Sequence, residues 1–528
     1  MIALDIEIVR QGVNCLDDVI ATVCSWHNRR YELMYARSLN FQFASEPAAK
    51  DFGERIMAEY SDDYLHLLEK YHGLHCEIHL NQPISQGIEM ITEQLQAGNP
   101  LLILLDCFWI PWVDKFQLIH DFGHTMVGVG FDTETNELLV TDPFFEKKSV
   151  RISYEQLEHG YYGCVTITPT SDHLATYEEI SKELSITLEE WLQTRETSQA
   201  ITAFARETGS IPFEPDAAAE AMVATSPLFV NLGKVSSARH NYGKLLGYLR
   251  ECYGDERLEK LEEELKALSF QWSSVRGFLM KIALVDEASM HAYLKENTVK
   301  KLTDISIKEL EVMERLLTLY RIQPGQANPL EAKAYSAAAL EQQEEAIAVN
   351  QHVDLSRYFN NRGFGSMERP ADFDASGFYF PSSGSPLGTA LLLDDMSFYM
   401  KVAPGHEEYD NISCYGQEIE LEGEKADFLT ILGCSEMGNF LDQLTVKYED
   451  GSKDTLDFGF SDWWNFHAVI HERVAWSGQP AHKEQGPINH KVHLYAAKLR
   501  LKSARPLQSL VLPMLPNIHI FAISVGSS

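Results

Sequence analysis

Apolar residues recur along this chain with two periods, and the change between them divides it into segments. The first helical repeat follows Cys15 and consists of Leu16, Val19, Ile20 and Val23. The continuous run Leu101–Leu105 predicts a buried strand, and 125–131 and 138–141 predict two more, joined by a polar hairpin connection. The first 170 residues are therefore expected to form a mixed α and β domain.

The middle of the chain has helical periodicity. Two stripes carry the pattern: Leu258, Leu261, Leu265 and Leu268, then Leu310, Met313, Leu316 and Leu317. A loop is predicted at 211–227, where proline and small residues gather. Residues 171–322 are assigned to a helical domain, and 323–349, which begin QPGQANP, to a linker with a bridging helix.

Beyond residue 350 the pattern changes to short strands between turns. Glu449, Asp450 and Gly451 predict a tight turn between strand-like runs at 444–446 and 455–456. We therefore expect residues 350–528 to form an all-β sandwich. The predicted fold class is multidomain α+β.

Composition narrows the classes of function. A chain of 528 residues is too long to fold around a single hydrophobic core, so more than one domain is expected. Its net charge of −33 argues against nucleic-acid binding. No run of about eighteen apolar residues predicts a membrane span, and MIALDIEIVRQG lacks the features of a secretory signal. Eight scattered cysteines without a C-x-x-C pair indicate a reduced set, so a cytoplasmic location is expected.

Cys15 is the candidate nucleophile. Asn14 is a suitable N-cap and would place Cys15 in the first helical turn, where unpaired N–H groups favour a thiolate. Asp17 and Asp18 act in the opposite sense, because their charges oppose ionisation of a nearby thiol. A histidine partner is therefore needed for activation.

His124 and Asp142 are the candidate partners of that thiol. His124 opens one predicted strand as general base, and Asp142 ends the next, where it can hold the imidazole tautomer. Gln11 is a candidate oxyanion donor. His120 is a rival base, and Cys, His and Asp also coincide by chance in long chains.

The residues from Cys15 to Pro143 resemble the N-terminal domain of the butirosin-biosynthesis acyltransferase family, a relative of bacteriocin-leader cysteine peptidases. The matching segments are NCLDDVIATV, NPLLILLDCFWIPW, HDFGHTMVGVGFD and LLVTDPF. The helical middle is similar to the second domain of that family, through SARHNYGKLLGYL with Arg239 and FQWSSVRGFLMKIA with Trp272 and Arg276. The resemblance implies a papain-like cysteine-peptidase-type fold.

That resemblance also implies an activity. A cysteine would take an acyl group from a carrier-protein thioester and pass it to an amine, with Cys15, His124 and Asp142 as the triad and no cofactor. The partners would be an acyl or peptidyl carrier protein and a small-molecule amine. The alternatives are cyclisation and release of a carrier-bound peptide or polyketide, peptide hydrolysis, and a non-enzymatic scaffold. A homodimer is left open.

Residues 350–528 resemble a β-sandwich module found at the ends of bacterial glycoside hydrolases. The resemblance rests on YFNNRGFGSMERPADFDASGFYF, YDNISCYGQEIEL, FLTILGCSEMGNFLDQLTVKYEDGS, FSDWW and LPNIHIFAISV. It implies a galactose-binding-like jelly roll, in which aromatic faces can hold a sugar. The D-W-W segment forms either such a platform or a packing corner; its residues are Asp462, Trp463 and Trp464. The module as a whole could instead shape the acceptor cleft or mediate dimerisation.

Two further clusters suggest metal binding. In YHGLHCEIHL, a helix would bring His72, His75, Cys76 and His79 to one face, as zinc requires, whereas a strand would spread them over two faces. Asp372 and Asp374 are candidate calcium ligands in a loop.

Overall fold

The structure is a computed structural model that describes most of the chain. The residues outside the description are 1, 11–13, 45–51, 58–62, 114, 119, 171–174, 211–225, 285–287, 323–348, 402–408, 422, 424, 466, 471, 503 and 528. The predicted loop at 211–227 and the predicted linker at 323–349 therefore lie largely outside the described residues. Pro227 begins a helix and Val349 begins a strand.

The N-terminal domain has a helix that precedes an antiparallel sheet. Its elements are β1 (Ile2–Ala3), α1 (Cys15–Trp26), β2 (Gln42–Phe43), β3 (Ile56–Met57), α2 (Asp63–His72), β4 (Leu74–Leu80), α3 (Ile84–Gln96), β5 (Leu101–Leu105), β6 (Thr125–Asp132), β7 (Glu137–Asp142), β8 (Lys147–Ile152), α4 (Tyr154–Gly160) and β9 (Tyr161–Pro169). The sheet order is β4-β9-β5-β6-β7-β8, with β1 paired to β6. The helix after Cys15 and the three predicted strands are confirmed, with shifts of one residue at some ends.

Both faces of the central strands of this sheet are buried, which explains the continuous apolar run in β5. Leu102 and Val127 share the core that includes α1, whereas Leu101 and Ile103 face the opposite core with Ile91 of α3. Adjacent side chains of a strand point to opposite faces, so a strand covered on both sides must be apolar throughout. The sheet is therefore a rigid platform for residues at its strand ends.

The middle domain is built from helices. They are α5 (Tyr177–Thr194), α6 (Glu196–Ser210), α7 (Pro227–Tyr253), α8 (Glu259–Leu284) and α9 (Ala288–Arg321). The predicted stripes become buried faces of α8 and α9, although Leu258 lies in the short turn before α8. In the described part of the chain, no helix is both long and apolar enough to cross a membrane.

Inside the helical domain, Arg239 and Trp272 both bind one buried carboxylate. Nε and Nη2 of Arg239 donate to Glu309 at 2.7 and 2.8 Å, and Nε1 of Trp272 donates to it at 2.7 Å. Arg239 also donates to the carbonyls of Leu39 and Asn40 in the N-terminal domain. These two residues of the family resemblance therefore join α7, α8 and α9 to the N-terminal domain.

The C-terminal residues fold into mostly antiparallel sheets with a shared core, as expected for a β-sandwich. The strands are β10 (Val349–His352), β11 (Phe364–Gly365), β12 (Phe378–Pro381), β13 (Ala390–Leu393), β14 (Met396–Tyr399), β15 (Ile412–Ser413), β16 (Glu418–Glu420), β17 (Phe428–Ser435), β18 (Phe440–Tyr448), β19 (Lys453–Phe460), β20 (Arg473–Gly478), β21 (Ala481–His482), β22 (Gly486–Pro487), β23 (Val492–Arg500), β24 (Leu507–Val511) and β25 (Ile518–Ser527). The larger sheets run β10-β25-β17-β23-β20 and β16-β24-β18-β19. The predicted turn is confirmed, since β18 pairs with β19 and Gly451 has a φ of 80°.

Helix α8 fixes the helical domain against this sandwich. A Cβ on Gly277 would lie 2.8 Å from the Phe440 ring of β18, so the glycine allows the close approach. Lys281, about one turn further along α8, forms a buried ion pair with Glu436. Apolar and charged groups of the sandwich are therefore both buried against α8.

Candidate active site

Helix α1 presents Cys15 as its first residue. Asn14 is the N-cap, and its side chain accepts the N–H of Asp17 at 2.8 Å. Cys15 is partly exposed, and its Sγ donates to the carbonyl of Gly123 at 3.6 Å. The predicted N-cap is therefore confirmed, and the thiol lies beside the segment that leads into β6.

The two carboxylates after Cys15 are buried against the helical domain. Asp17 accepts hydrogen bonds from Tyr35 Oη at 2.6 Å and from Asn241 Nδ2 at 3.1 Å. Burial lowers the pKa of Lys244 below the usual lysine value. The charges of Asp17 and Asp18 act in the opposite direction but have a smaller effect. The acidic pair thus faces polar groups of α7, which partly offset the charge that opposes thiolate formation.

The structure places His124 and Asp142 together at neighbouring strand ends. Val127 of β6 pairs with Thr141 of β7, so the start of one strand adjoins the end of the other. Nε2 of His124 lies 2.8 Å from Oδ2 of Asp142, and both side chains are buried. The same oxygen accepts the indole N–H of Trp112 at 2.9 Å.

Aromatic rings enclose this histidine–carboxylate pair. The Phe145 ring meets the imidazole edge to face with centroids 5.3 Å apart, and its backbone N–H donates to Oδ1 of Asp142 at 3.2 Å. The Phe144 ring lies 6.5 Å from the imidazole. Exclusion of water strengthens the interaction between His124 and Asp142, because the local dielectric is low.

The pKa of His124 is raised to about 10. Burial, the largest effect, acts to lower it, but the hydrogen bond and charge of Asp142 raise it, and so does the Cys15 side chain. Since Nε2 is engaged by Asp142, Nδ1 is the ring nitrogen left for the thiol. The Asp142 carboxylate therefore favours the protonated form of the imidazole, as a thiolate–imidazolium pair with Cys15 would need.

The rival base His120 lies on the same loop with its own carboxylate. Its Nδ1 is 2.6 Å from Oδ2 of the buried Asp106, and its ring stacks on Phe108 with centroids 4.4 Å apart. The other oxygen of Asp106 accepts the N–H groups of Phe108 and Asp121. His120 is thus paired with Asp106 rather than with Asp142.

Tyr162 of β9 adds a hydroxyl that the sequence did not single out. It donates to the carbonyl of Phe122, and the two rings lie 5.3 Å apart. Burial, followed by the charges of Cys107, Cys15, Asp121 and Asp106, raises its pKa to about 12. The sequence pointed more clearly to Trp112 than to Tyr162, because Trp112 lies in the aromatic segment that follows β5. Gln11, the candidate oxyanion donor, lies outside the described residues.

The C-terminal module reaches the edge of this site. Glu146, which follows Phe145, accepts from Arg10 at 2.7 Å and lies 3.6 Å from Nε2 of His467. His467 belongs to the sandwich, so residues of both terminal domains meet at this carboxylate.

The two sequence clusters considered as metal sites do not bring metal ligands together among the described residues. His72 ends α2, whereas His75, Cys76 and His79 lie in β4, so the single-face helical arrangement required for zinc is wrong. Across the described residues, no group of three or more histidine, cysteine or acidic side chains could hold a metal ion. Asp372 and Asp374 instead accept backbone N–H groups of the turn that they precede.

The D-W-W segment is a packing corner. Trp463 is only 2% exposed, and its ring packs against Phe373 and Phe380. Asp462 is partly buried and accepts the backbone N–H of Trp464 at 2.8 Å, and its removal from solvent raises its pKa to about 7. The sugar-platform alternative is therefore wrong for Trp463.

Two families of domains match this chain. Residues 14–143 match the family described as butirosin biosynthesis protein H, N-terminal, which confirms the first resemblance for that domain. Residues 349–528 match the AziU2-like beta-sandwich domain. The β-sandwich is thereby confirmed, and residues 144–348 lie outside both matched segments.

Comparisons with whole proteins add little. No curated protein matches the chain significantly. Among solved structures, the chain is similar to a family GH115 4-O-methyl-alpha-glucuronidase with specificity for decorated arabinogalactans, at 11% identity and a TM-score of 0.12. That match covers 65% of this chain and 42% of the glucuronidase chain, and its TM-score is too low to bear on fold or function.

Proposed function

We propose that this chain is a cysteine-dependent acyltransferase of specialised-metabolite biosynthesis, with Cys15, His124 and Asp142 as its catalytic triad. The observation that carries the proposal is the convergence of a partly exposed thiol, a buried imidazole and a buried carboxylate within a domain of the butirosin biosynthesis protein H family. The order of the three groups suits nucleophilic catalysis by a thiolate.

The first half-reaction acylates Cys15. Its thiolate attacks the carbonyl of a carrier-protein thioester, and the bond from that carbon to the carrier sulfur breaks. The proton of the His124 imidazolium passes to the departing carrier thiolate, while Asp142 holds the ring. Because a thioester is exchanged for a thioester, the step is nearly isoenergetic. The N–H groups at the start of α1 are suitable donors to the tetrahedral oxyanion.

The second half-reaction passes the acyl group to a small-molecule amine. The amine attacks the acyl-cysteine carbonyl, the carbon–sulfur bond to Cys15 breaks, and His124 recovers a proton from the amine. The edge of the site at Glu146, where Arg10 and His467 meet, is a suitable boundary for the acceptor. The carrier protein as donor, a homodimer and a cytoplasmic location stay predictions.

Two cysteines provide a matched test of the nucleophile. Cys15 and Cys76 are both partly exposed, whereas the other six are buried. Burial raises the pKa of Cys76 to about 12, so it is a poor nucleophile at neutral pH. Iodoacetamide at neutral pH should therefore modify the wild type and Cys76→Ala equally, and should leave Cys15→Ala unmodified.

The acyl-transfer step is then tested by intact mass. Incubation with an acyl-carrier-protein thioester should give an acyl adduct on the wild type and on Cys76→Ala, but not on Cys15→Ala. Loss of that adduct on addition of an amine supports transfer. Release of a cyclic product without an amine would favour the cyclase alternative, and absence of both adduct and alkylation would contradict the proposal.

A further inference from the structure

His120 is held in a fixed orientation although it is exposed. Its side chain is 63% exposed, whereas that of Asp106, bound to its Nδ1, is 3% exposed. Phe108 stacks on one face of the ring at an angle of 14°. No hydrogen bond from a described residue engages Nε2 of His120, so this nitrogen is available to a ligand or to solvent. A merely solvated surface histidine needs neither a buried carboxylate nor a stacked ring.

The His120–Asp106 pair is connected directly to the triad. Oδ1 of Asp106 accepts the N–H of Asp121 at 2.9 Å, and Oδ1 of Asp121 accepts the N–H of Gly123 at 2.8 Å. Gly123 in turn accepts the Cys15 thiol. Three residues separate His120 from His124, so their Cα atoms lie at most about 14 Å apart. The His120–Asp106 pair is therefore linked to Cys15 through one short hydrogen-bonded turn.

Tyr162 gives independent evidence of this proximity. Its hydroxyl is bound to the carbonyl of Phe122, inside the same turn. The charges of Cys15 and Asp106 both act on that hydroxyl. The carboxylate that holds His120 and the nucleophile therefore both lie close enough to Tyr162 to act on its hydroxyl.

When the acceptor enters as an ammonium ion, the proton balance of the proposed reaction leaves one proton that His124 does not take. An aliphatic amine is an ammonium ion at neutral pH, and it loses two protons when it becomes an amide. During acylation His124 gives its proton to the departing thiol, so it can take back only one of these two. The overall change is thioester plus ammonium to amide, thiol and one proton, which must leave the site.

We propose that His120, held by Asp106 and Phe108, is the second base of the reaction and takes from an ammonium acceptor the proton that His124 cannot take. Nε2 accepts that proton, the free amine attacks the acyl-cysteine, and the exposed ring releases the proton to water. This inference rests on the proposed acyltransferase function and identifies the acceptor class as amines that bind in their protonated form.

The test separates the two half-reactions and two acceptors. Cys15 is acetylated with S-acetyl-N-acetylcysteamine, and loss of the acetyl adduct is followed by intact mass with propylamine or with hydroxylamine. Propylamine is an ammonium ion at neutral pH, whereas hydroxylamine is already a free base and sheds only one proton. His120→Gln is compared with His75→Gln, which changes another exposed histidine that is paired with a carboxylate, Glu69.

We expect His120→Gln to acetylate at the wild-type rate and to react with hydroxylamine at the wild-type rate. Its reaction with propylamine should be slower by roughly 10²-fold, within the range of general base catalysis, and should recover as the pH is raised. His75→Gln should match the wild type throughout. The hydroxylamine reaction shows that His120→Gln is folded.

Three results would overturn this inference. They also distinguish failure of the role of His120 from failure of the proposed acyltransferase function. Equal propylamine rates in His120→Gln and the wild type would remove His120 from the reaction. Slow acetylation of His120→Gln would assign it to the first half-reaction instead. Failure of the wild type to form any acetyl adduct would contradict the proposed function itself.

Discussion

Oδ2 of Asp142 accepts two hydrogen bonds at once, from Nε2 of His124 at 2.8 Å and from the indole of Trp112 at 2.9 Å. The first is charge-assisted and raises the pKa of the imidazole, whereas the second is a neutral donor that fixes the carboxylate. The two donors can therefore be removed separately.

Replacement of Asp142 by asparagine should slow acylation of Cys15 by roughly 10²–10⁴-fold. The amide removes the negative charge, so the pKa of His124 should fall from its value of about 10. The measurements are acylation by intact mass and an NMR titration of the imidazole. Trp112→Phe keeps the charge and should have a much smaller effect. Equal losses in the two variants would show that carboxylate orientation, rather than charge, matters.

The stability of the protein should fall as the pH rises from 6.5 to 10, in part because of His124. Its folded pKa of about 10 lies above the ordinary value of 6.5, so the folded state holds this proton over that range and the unfolded state does not. The contribution is complete below pH 6.5 and lost above pH 10. The difference in Tm between the wild type and His124→Gln, followed by circular dichroism, should shrink across this range. A constant difference would contradict the shift.

Replacement of Glu309 by glutamine should lower the free energy of unfolding by about 3–5 kcal/mol, the usual cost of breaking a buried ion pair. Glu309 and Arg239 are at most 3% exposed, so the guanidinium would lose its charged partner without access to water. The matched control is Glu264→Gln, which removes an exposed partner of Arg315 and should have little effect. Chemical denaturation measures both; equal values would contradict the structural role assigned to Arg239.

Alanine at Gly277 should destabilise the protein by about 1–3 kcal/mol through overpacking. The new Cβ would lie 2.8 Å from the Phe440 ring and from Oδ1 of Asn517. Gly233→Ala is the matched helical control, because its nearest neighbour is 3.7 Å away. That change should be neutral or stabilising by up to about 1 kcal/mol, through helix propensity. A smaller loss at Gly277 than at Gly233 would contradict close packing between α8 and the sandwich.

Local signals account for the parts of the fold that the sequence predicted. The helix at Cys15 follows from the Asn14 N-cap and a 3.6-residue repeat, both of which act within one turn. The strand at Leu101–Leu105 follows from a short, continuous apolar run, which is typical of a strand buried on both faces. The helical alternative for the histidine cluster failed because Gly73, with a φ of 63°, ends α2 before the last three members.

Local sequence signals could not predict the contacts that define the candidate site. Trp112 and Asp142 are thirty residues apart, and His120 and Asp106 fourteen, so the path of the loop decides which groups meet. The choice between His120 and His124 as the partner of Asp142 illustrates this, because residue type and strand order suit both. Asp17 and Asn241 are separated by 224 residues, and no local pattern relates them.

The sequence by itself determined the elements, their order, and the thiol, imidazole and carboxylate available for chemistry, because capping, periodicity and turn formation are short-range. Only the tertiary structure decided which side chains share a hydrogen bond, which carboxylates are buried, and how far the pKa of His124 rises. Those properties depend on distance and dielectric, which are set when separate segments pack together and exclude water.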